Sequence, residues 1–440
     1  MTTASGQGVT DQLVRFTLES TPTEAALSIL RLSLFDWAVV GLAGIDEPVA
    51  RQLRDLTGQE RTQGRASILG GGQVSPRAAA LVNGTTSHAL DFDDTHFGHI
   101  GHPSAVIIPA TLAVAEHTNA TGTEALEAAL IGAEASIRIG EWLGRAHYQA
   151  GFHQTATSGT FGAALAVARL LKLDETRTRW ALGHAASRAA GLKAQFGTMA
   201  KPLQGGQAAS AGVEAALMAK AGLTAHSNAL ETDQGFGPTH HGEANPSALE
   251  ALGSLWRFET VSHKLYACCH GTHAPIEAAR ALSKDAPIPE AEPIKLSVHP
   301  RWLTVCNIAC PQTRLEAKFS LTLTVAMALT GHDLAGLDAF EPEIIQAPNL
   351  VALRDRVEVT GDDTLSETEA DLRIGTLEAR HDLLTLRPLE QRQADVRAKA
   401  EALIGEAKAS VLWSITSATE LDLDALTAIL RSPEGPRATG

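Results

Sequence analysis

Through its first two-thirds this chain runs in alanine-rich stretches of helical length, at 105–116, 124–143, 159–173, 177–192 and 207–221. Each is closed by glycine, proline or a polar cluster, the punctuation that ends helices. Alanine is the best helix former and its small side chain lets helices approach closely, so these stretches restrict the fold to packed helices. Start signals agree. Thr21-Pro22-Thr23-Glu24 offers a capping hydroxyl, a proline at the first helical position and an acid for the dipole. Thr121-Gly122-Thr123-Glu124 and Asp174-Glu175 repeat the pattern.

The character changes near Trp256. Ile294-Lys295-Leu296-Ser297-Val298 alternates apolar and polar residues, the period-two mark of a half-buried strand. Segments 357–360 and 372–377 do likewise, with a helical stretch at 315–329 among them. After Pro388 the chain returns to helix, at 390–408 and 422–430. The expected fold is mainly α with an inserted α+β part: a large all-helical domain formed by both chain ends (1–256 and 390–440) and a smaller α+β domain at 257–389.

With 36 lysines and arginines against 50 acids, the chain carries −14 and repels nucleic acid phosphates and anionic membranes, so neither is an expected partner. No segment reaches roughly 18 uninterrupted apolar residues. The best stretch, 27–45, is broken by Arg31, Asp36 and Gly41 and reads as a buried helix. The first twenty residues hold no apolar leader core, and four cysteines with a vicinal pair, Cys268 and Cys269, suit a reducing compartment; the expected location is cytoplasmic. There is no Gly-x-Gly-x-x-Gly opening a helix after a strand, no Walker sequence and no Gly-x-Ser-x-Gly elbow, so nucleotide, flavin and serine-nucleophile chemistry are not expected.

The densest chemistry lies between His88 and Ser104, where Asp91, Asp93, Asp94, His88, His96, His99 and His102 crowd around two glycines. The histidine spacing matches no metal motif, and glycine with Pro103 argues against a helix there, so no metal is expected. Three later loops add polar groups: His147, Tyr148 and His153; then Lys193, Lys201 and Gln204 among glycines; then Lys264, Tyr266, His270 and His273. Together they describe a cationic pocket for a small polycarboxylate turned over by proton transfer.

These motifs resemble the 2-methylcitrate dehydratase superfamily, also called MmgE/PrpD. The resemblance rests on His-Ala-Leu-Asp-Phe-Asp-Asp-Thr (88–95) followed by Gly-His-Pro-Ser (101–104), then Gly151-Phe152-His153. Gly-Thr-Met-Ala-Lys-Pro-Leu (197–203) comes next, then Lys264 ahead of Cys269 and His273, and Glu-Ala-Lys-Phe-Ser (316–320). It implies a helical domain with a smaller α+β lid, a homodimer, and cofactor-independent chemistry beside a carboxylate. The reactions implied are dehydration of 2-methylcitrate, decarboxylation of cis-aconitate or epimerisation of iminodisuccinate. The resemblance implies that the active-site positions of the decarboxylase branch match Asp91, Thr95, His102, His153, Lys201 and Lys264. Two positions depart: Gln204 stands where the family commonly has histidine, and Val305 where the decarboxylase branch has a tyrosine.

The chain is closest in pattern to the shorter, epimerase-like members. The leading expectation is an epimerase of an iminodisuccinate-like dicarboxylate, with Lys264 and Tyr148 on opposite faces of the carbon. His102 and His153, with Lys201, hold the carboxylates and the enediolate charge. Asp91 orients an imidazole, Thr95 donates a hydrogen bond, and Gln204 and His273 contact substrate. A lyase of the dehydratase or decarboxylase type is the second expectation, and a non-catalytic carboxylate binder the third. No cofactor is expected.

Overall fold

A computed structural model describes residues 8–60, 63–285, 287–289 and 292–432. The protein is mainly α with a small α+β part, and the chain forms two compact units, Met1–His263 with Ile404–Gly440, and Lys264–Leu403. The first unit contains α1 (Val9–Glu19), α2 (Glu24–Ala43), α3 (Pro48–Gln59), α4 (Pro76–His88), α5 (Pro103–Thr118), α6 (Gly122–Gln149), α7 (Gln154–Leu170), α8 (Glu175–Ala186) and α9 (Ala200–Lys220). Helices Glu406–Thr416 and Leu423–Arg431 return from the far end of the chain. The unit is not all-helical: β1 (Ala66–Ser67) and β2 (Gln73–Val74) make a short antiparallel ladder.

Helix starts follow local chemistry. Thr121 takes the Glu124 amide on its hydroxyl while the Glu124 carboxylate takes the Thr121 amide, a reciprocal capping box. Asp174 accepts from the Arg177 amide. At α2 the cap is Thr23, accepting from Ala26 N, so Pro22 precedes the cap and does not occupy the first helical position. By composition α2 is long and apolar enough to cross a membrane, yet 78% of its most apolar window is buried inside this unit.

Two glycine features set the geometry that matters later. Gly84 of α4 meets Gly206 of α9: a Cβ on Gly206 would lie 2.2 Å from the Leu81 carbonyl oxygen, and one on Gly84 would lie 2.8 Å from Gly206 Cα. The backbones therefore touch, which brings the end of α4 beside the beginning of α9. In α6, Gly144 adopts φ +74° and ψ −174° and breaks the helix. The freed groups find new partners. Glu243 accepts from Ala146 N at 2.7 Å and donates its own amide to Leu143 O, while the Gln154 amide donates to the Gly140 and Gly144 carbonyls.

The second unit holds β3 (Ile294–Val298), β4 (Val357–Gly361), β5 (Glu369–Ile374) and β6 (Leu377–Asp382) in the order β4-β3-β5-β6. β3 is parallel to β4 and antiparallel to β5. Segment 372–377, expected as one strand, turns over at Gly375 (φ +58°) so that Ile374 pairs with Leu377. The expected helix at 315–329 is interrupted at 318–320, leaving Arg314–Ala317 and Leu321–Leu329. Helix Leu389–Ile404 groups with this unit as far as Leu403, whereas the sequence reading put residues from 390 onward in the helical domain.

Candidate active site

The site grows from the end of α4. Beyond His88 the backbone turns through Asp91, whose φ of +52° lies in the left-handed region, and Asp91 N donates to the His88 carbonyl. The turn carries Asp93 back to His88. Asp93 Oδ1 accepts from His88 Nδ1 at 2.9 Å, and its Oδ2 lies 3.1 Å from His102 Nδ1. Burial by itself pushes the Asp93 carboxyl up, but His102 and His88 outweigh it and hold the group well below the usual carboxylate range. An ionised Asp93 thus bridges two imidazoles. It turns His102 so that Nε2 lies 3.4 Å from Asp91 Oδ1. Burial lowers His102 to about 4 in spite of Asp93, so its ring is neutral at pH 7.

Three helices begin at this point. His102 is the N-cap of α5, His153 is the N-cap of α7, and Lys201 lies in the first turn of α9. Their amide ends and dipoles favour negative charge. Lys201 Nζ sits 2.5 Å from Asp91 Oδ1, and 5.6 Å from the centroid of the Phe196 ring. His153 places Nδ1 3.0 Å from Gln204 Oε1, with its ring edge-on to Phe196 and nearly parallel to His88. Burial first, then the Lys201 charge, holds His153 well below the ordinary imidazole range. Asp91 is the open member, its side chain 43% exposed.

His88, Asp91, Asp93 and His102 bring ligand-type atoms within 4.8 Å of one another, a gathering the sequence expectation of no metal did not anticipate. The cation that the structure gives this group is the Lys201 ammonium, already on Asp91. Its neighbour Asp94 differs in kind: burial raises its carboxyl to about 7, and Ser104 donates to it through both its amide and its hydroxyl.

Of the residues expected from sequence, Asp91, His102, His153, Lys201 and Gln204 come together in the first unit. Thr95 exchanges backbone hydrogen bonds with Ser262, and its hydroxyl lies 3.5 Å from the Ser262 carbonyl oxygen. Tyr148 sits under Lys193, whose ammonium is 3.8 Å from the ring centroid. His96 and His99 bond Thr260 and Ser158 and serve the loop's structure. Lys264 and His273 belong to the second unit, both buried; burial, then the Lys264 charge, lowers His273 to about 3. His88 and Asp93 were given no role from sequence, although their five-residue separation, with one on a helix end, was the available signal.

The arrangement defines a class: a helical protein whose acid–base cluster lies where three helices begin. The chain belongs to the MmgE/PrpD family, matching the models of its N-terminal domain over residues 10–249 and its C-terminal domain over residues 266–395. Among curated relatives it is 29% identical over 300 residues to the cis-aconitate decarboxylase-like protein oryM of Aspergillus oryzae, covering 63% of this chain and 62% of that protein. It is 31% identical over 270 residues to a cis-aconitate decarboxylase of Aspergillus terreus (58% and 55%), and 33% identical over 220 residues to that of Homo sapiens (48% and 45%). These matches thus span between 45% and 62% of the relatives' lengths.

Proposed function

We propose that the chain is an enzyme that moves a proton on the carbon beside a carboxylate of a small di- or tricarboxylate, without a cofactor, and that its reaction is epimerisation of an iminodisuccinate-like dicarboxylate. The observation that carries this reading is the Lys201 ammonium resting on the exposed Asp91 carboxylate at the starts of α5, α7 and α9. A substrate carboxylate takes the place that Asp91 fills. Its negative charge raises the nearby imidazoles, so that His102, with Asp93 behind it, can hold a proton and return it to carbon. Lys201 and the helix amides stabilise the enediolate charge that forms when the carbon loses its proton. The family resemblance adds Lys264, Tyr148, Thr95 and His273 as proposed contributors, and a homodimer as the proposed assembly.

Incubation in deuterium oxide with a panel of di- and tricarboxylates tests the reading. Proton NMR is expected to show deuterium entering the α carbon of at least one dicarboxylate, and an absence of exchange with every acid would sink it. Lys201→Met is expected to raise KM by roughly 10- to 150-fold, the worth of one charge-assisted hydrogen bond. An unchanged KM would remove Lys201 from the substrate.

A lyase reading has its own support in the decarboxylase names of the relatives. Against it stands Val305, 42% exposed where that branch carries a tyrosine. Carbon dioxide release from cis-aconitate, or an alkene formed from 2-methylcitrate, would favour the lyase.

A further inference from the structure

His153 and His102 look alike in sequence but are supported differently: His102 Nδ1 faces a carboxylate, whereas His153 Nδ1 faces an amide. The orientation of that amide is decidable. Gln204 Oε1 lies 2.9 Å from the Leu192 backbone nitrogen, which can only donate, and Gln204 Nε2 lies 3.1 Å from the Leu192 carbonyl oxygen, which can only accept. Exchanging the amide's oxygen and nitrogen would set donor against donor and acceptor against acceptor. So Oε1 is the atom 3.0 Å from His153 Nδ1, and a carbonyl oxygen requires that Nδ1 carry the hydrogen.

The frame around this contact is stiff. His153 N donates to Gly191 O, and Lys193 N donates to Gly151 O, so the two segments are pinned on either side of Leu192. Gly191 leaves the room required, since a Cβ there would lie 2.9 Å from Gln204 Oε1. Both ends of the Gln204 amide are engaged by the protein, which makes it a support for His153 and not a substrate contact. A histidine at position 204 would impose no such rule, because its ring nitrogen can either give or take a hydrogen.

We propose that Gln204 is a positioning residue that locks His153 in its Nδ1-protonated tautomer, so that His153 Nε2 meets the ligand as a hydrogen-bond acceptor and selects polycarboxylates bearing an O–H or N–H on the carbon beside a carboxylate. This rests on the polycarboxylate reading of the site and narrows it. Acids whose only polar groups are ionised carboxylates offer His153 Nε2 nothing to accept, and leave a buried acceptor unpaired. Iminodisuccinate and the hydroxy acids carry the donor; cis-aconitate does not.

Calorimetric titration of the full chain with citrate against tricarballylate, and with malate against succinate, isolates the donor, because each pair differs by one hydroxyl. The donor-bearing acid is expected to bind at least tenfold more tightly. Gln204→His, whose ring nitrogen can give or take a hydrogen, is expected to bring that ratio within about threefold. Equal affinities within both pairs for the unmutated chain would overturn the proposal. Nitrogen NMR of histidine-labelled protein, with His153→Gln identifying the signal, gives a readout independent of ligand. A hydrogen on Nε2 of His153 would overturn the proposal as well. Failure of all four acids to bind would instead count against the polycarboxylate reading, leaving the NMR signal to judge the tautomer.

Discussion

Asp93 does more than any other single side chain to organise the site, because it decides what two imidazoles can do. As a carboxylate it accepts from His88 and sets its second oxygen 3.1 Å from His102 Nδ1. Asparagine in its place offers one acceptor and one donor, so one of the rings must change tautomer or lose its partner. Asp93→Asn is therefore expected to lower kcat by up to about 10,000-fold, the drop that follows when an imidazole loses its orienting carboxylate. KM should change little, since Lys201 is untouched; a fall confined to KM would contradict the role. That Asp91, His102, His153, Lys201 and Gln204 would gather was legible in the sequence because each stands in a short motif of polar residues, though Gln204 was expected on the substrate and instead bonds His153 and Leu192. The Asp93 bridge was not, since it depends on the left-handed turn at Asp91, and an aspartate there announces no particular φ.

At the scale of elements, the Gly84–Gly206 contact is what sets α4 against α9, and so His88 beside Lys201 and Gln204. Gly206→Ala must push the backbones apart. It is expected to cost about 1–3 kcal/mol of stability, as overpacking does, and to reduce turnover by displacing the cluster. Gly58→Ala in α3 is the control, because a Cβ there meets nothing within 4 Å and alanine is the better helix former. Denaturant titration of the two variants should give shifts of opposite sign. Helix existence was readable from alanine-rich runs and caps, but several ends were not. The expected helix at 177–192 stops at Ala186, and that at 390–408 breaks at Gly405, φ +80°. In the expected strand at 372–377 the alternation slips at Gly375-Thr376, where Ile374 and Leu377 stand three apart, and that slip is the two-residue turn of a hairpin.

Across the whole molecule, buried imidazoles dominate the response to acid. Burial lowers His96, His102 and His147 to about 4 and His99 to about 3, while burial with the Lys264 charge lowers His273 to about 3. His153 is shifted the same way. Each stays neutral in the native state and takes a proton on unfolding below 6.5, so its stabilising contribution is present above that pH and is lost as pH falls towards the native value. Asp94, raised to about 7, works in the opposite sense, binding its proton in the native state first. His240 and His381 are lowered in the same sense, and Glu141 is raised like Asp94, so the imidazoles outnumber the opposing carboxyls and the net effect near pH 5 is proton uptake on unfolding. Calorimetry is expected to show Tm falling steadily from pH 6.5 to 4.5; a flat or rising Tm would refute this account.

The break in α6 at Gly144 has a consequence for how such a protein can diversify. The short piece beyond it, with His147 and Tyr148, is held by Glu243, a residue almost a hundred positions later in the chain. Changes in length or composition around Glu243 therefore act on the aim of that piece, which is also tied to Gln154 and Thr157 of α7. The cluster and the piece beyond Gly144 thus answer to different stretches of chain, and directed evolution aimed at new acids has its natural starting point in residues 240–245.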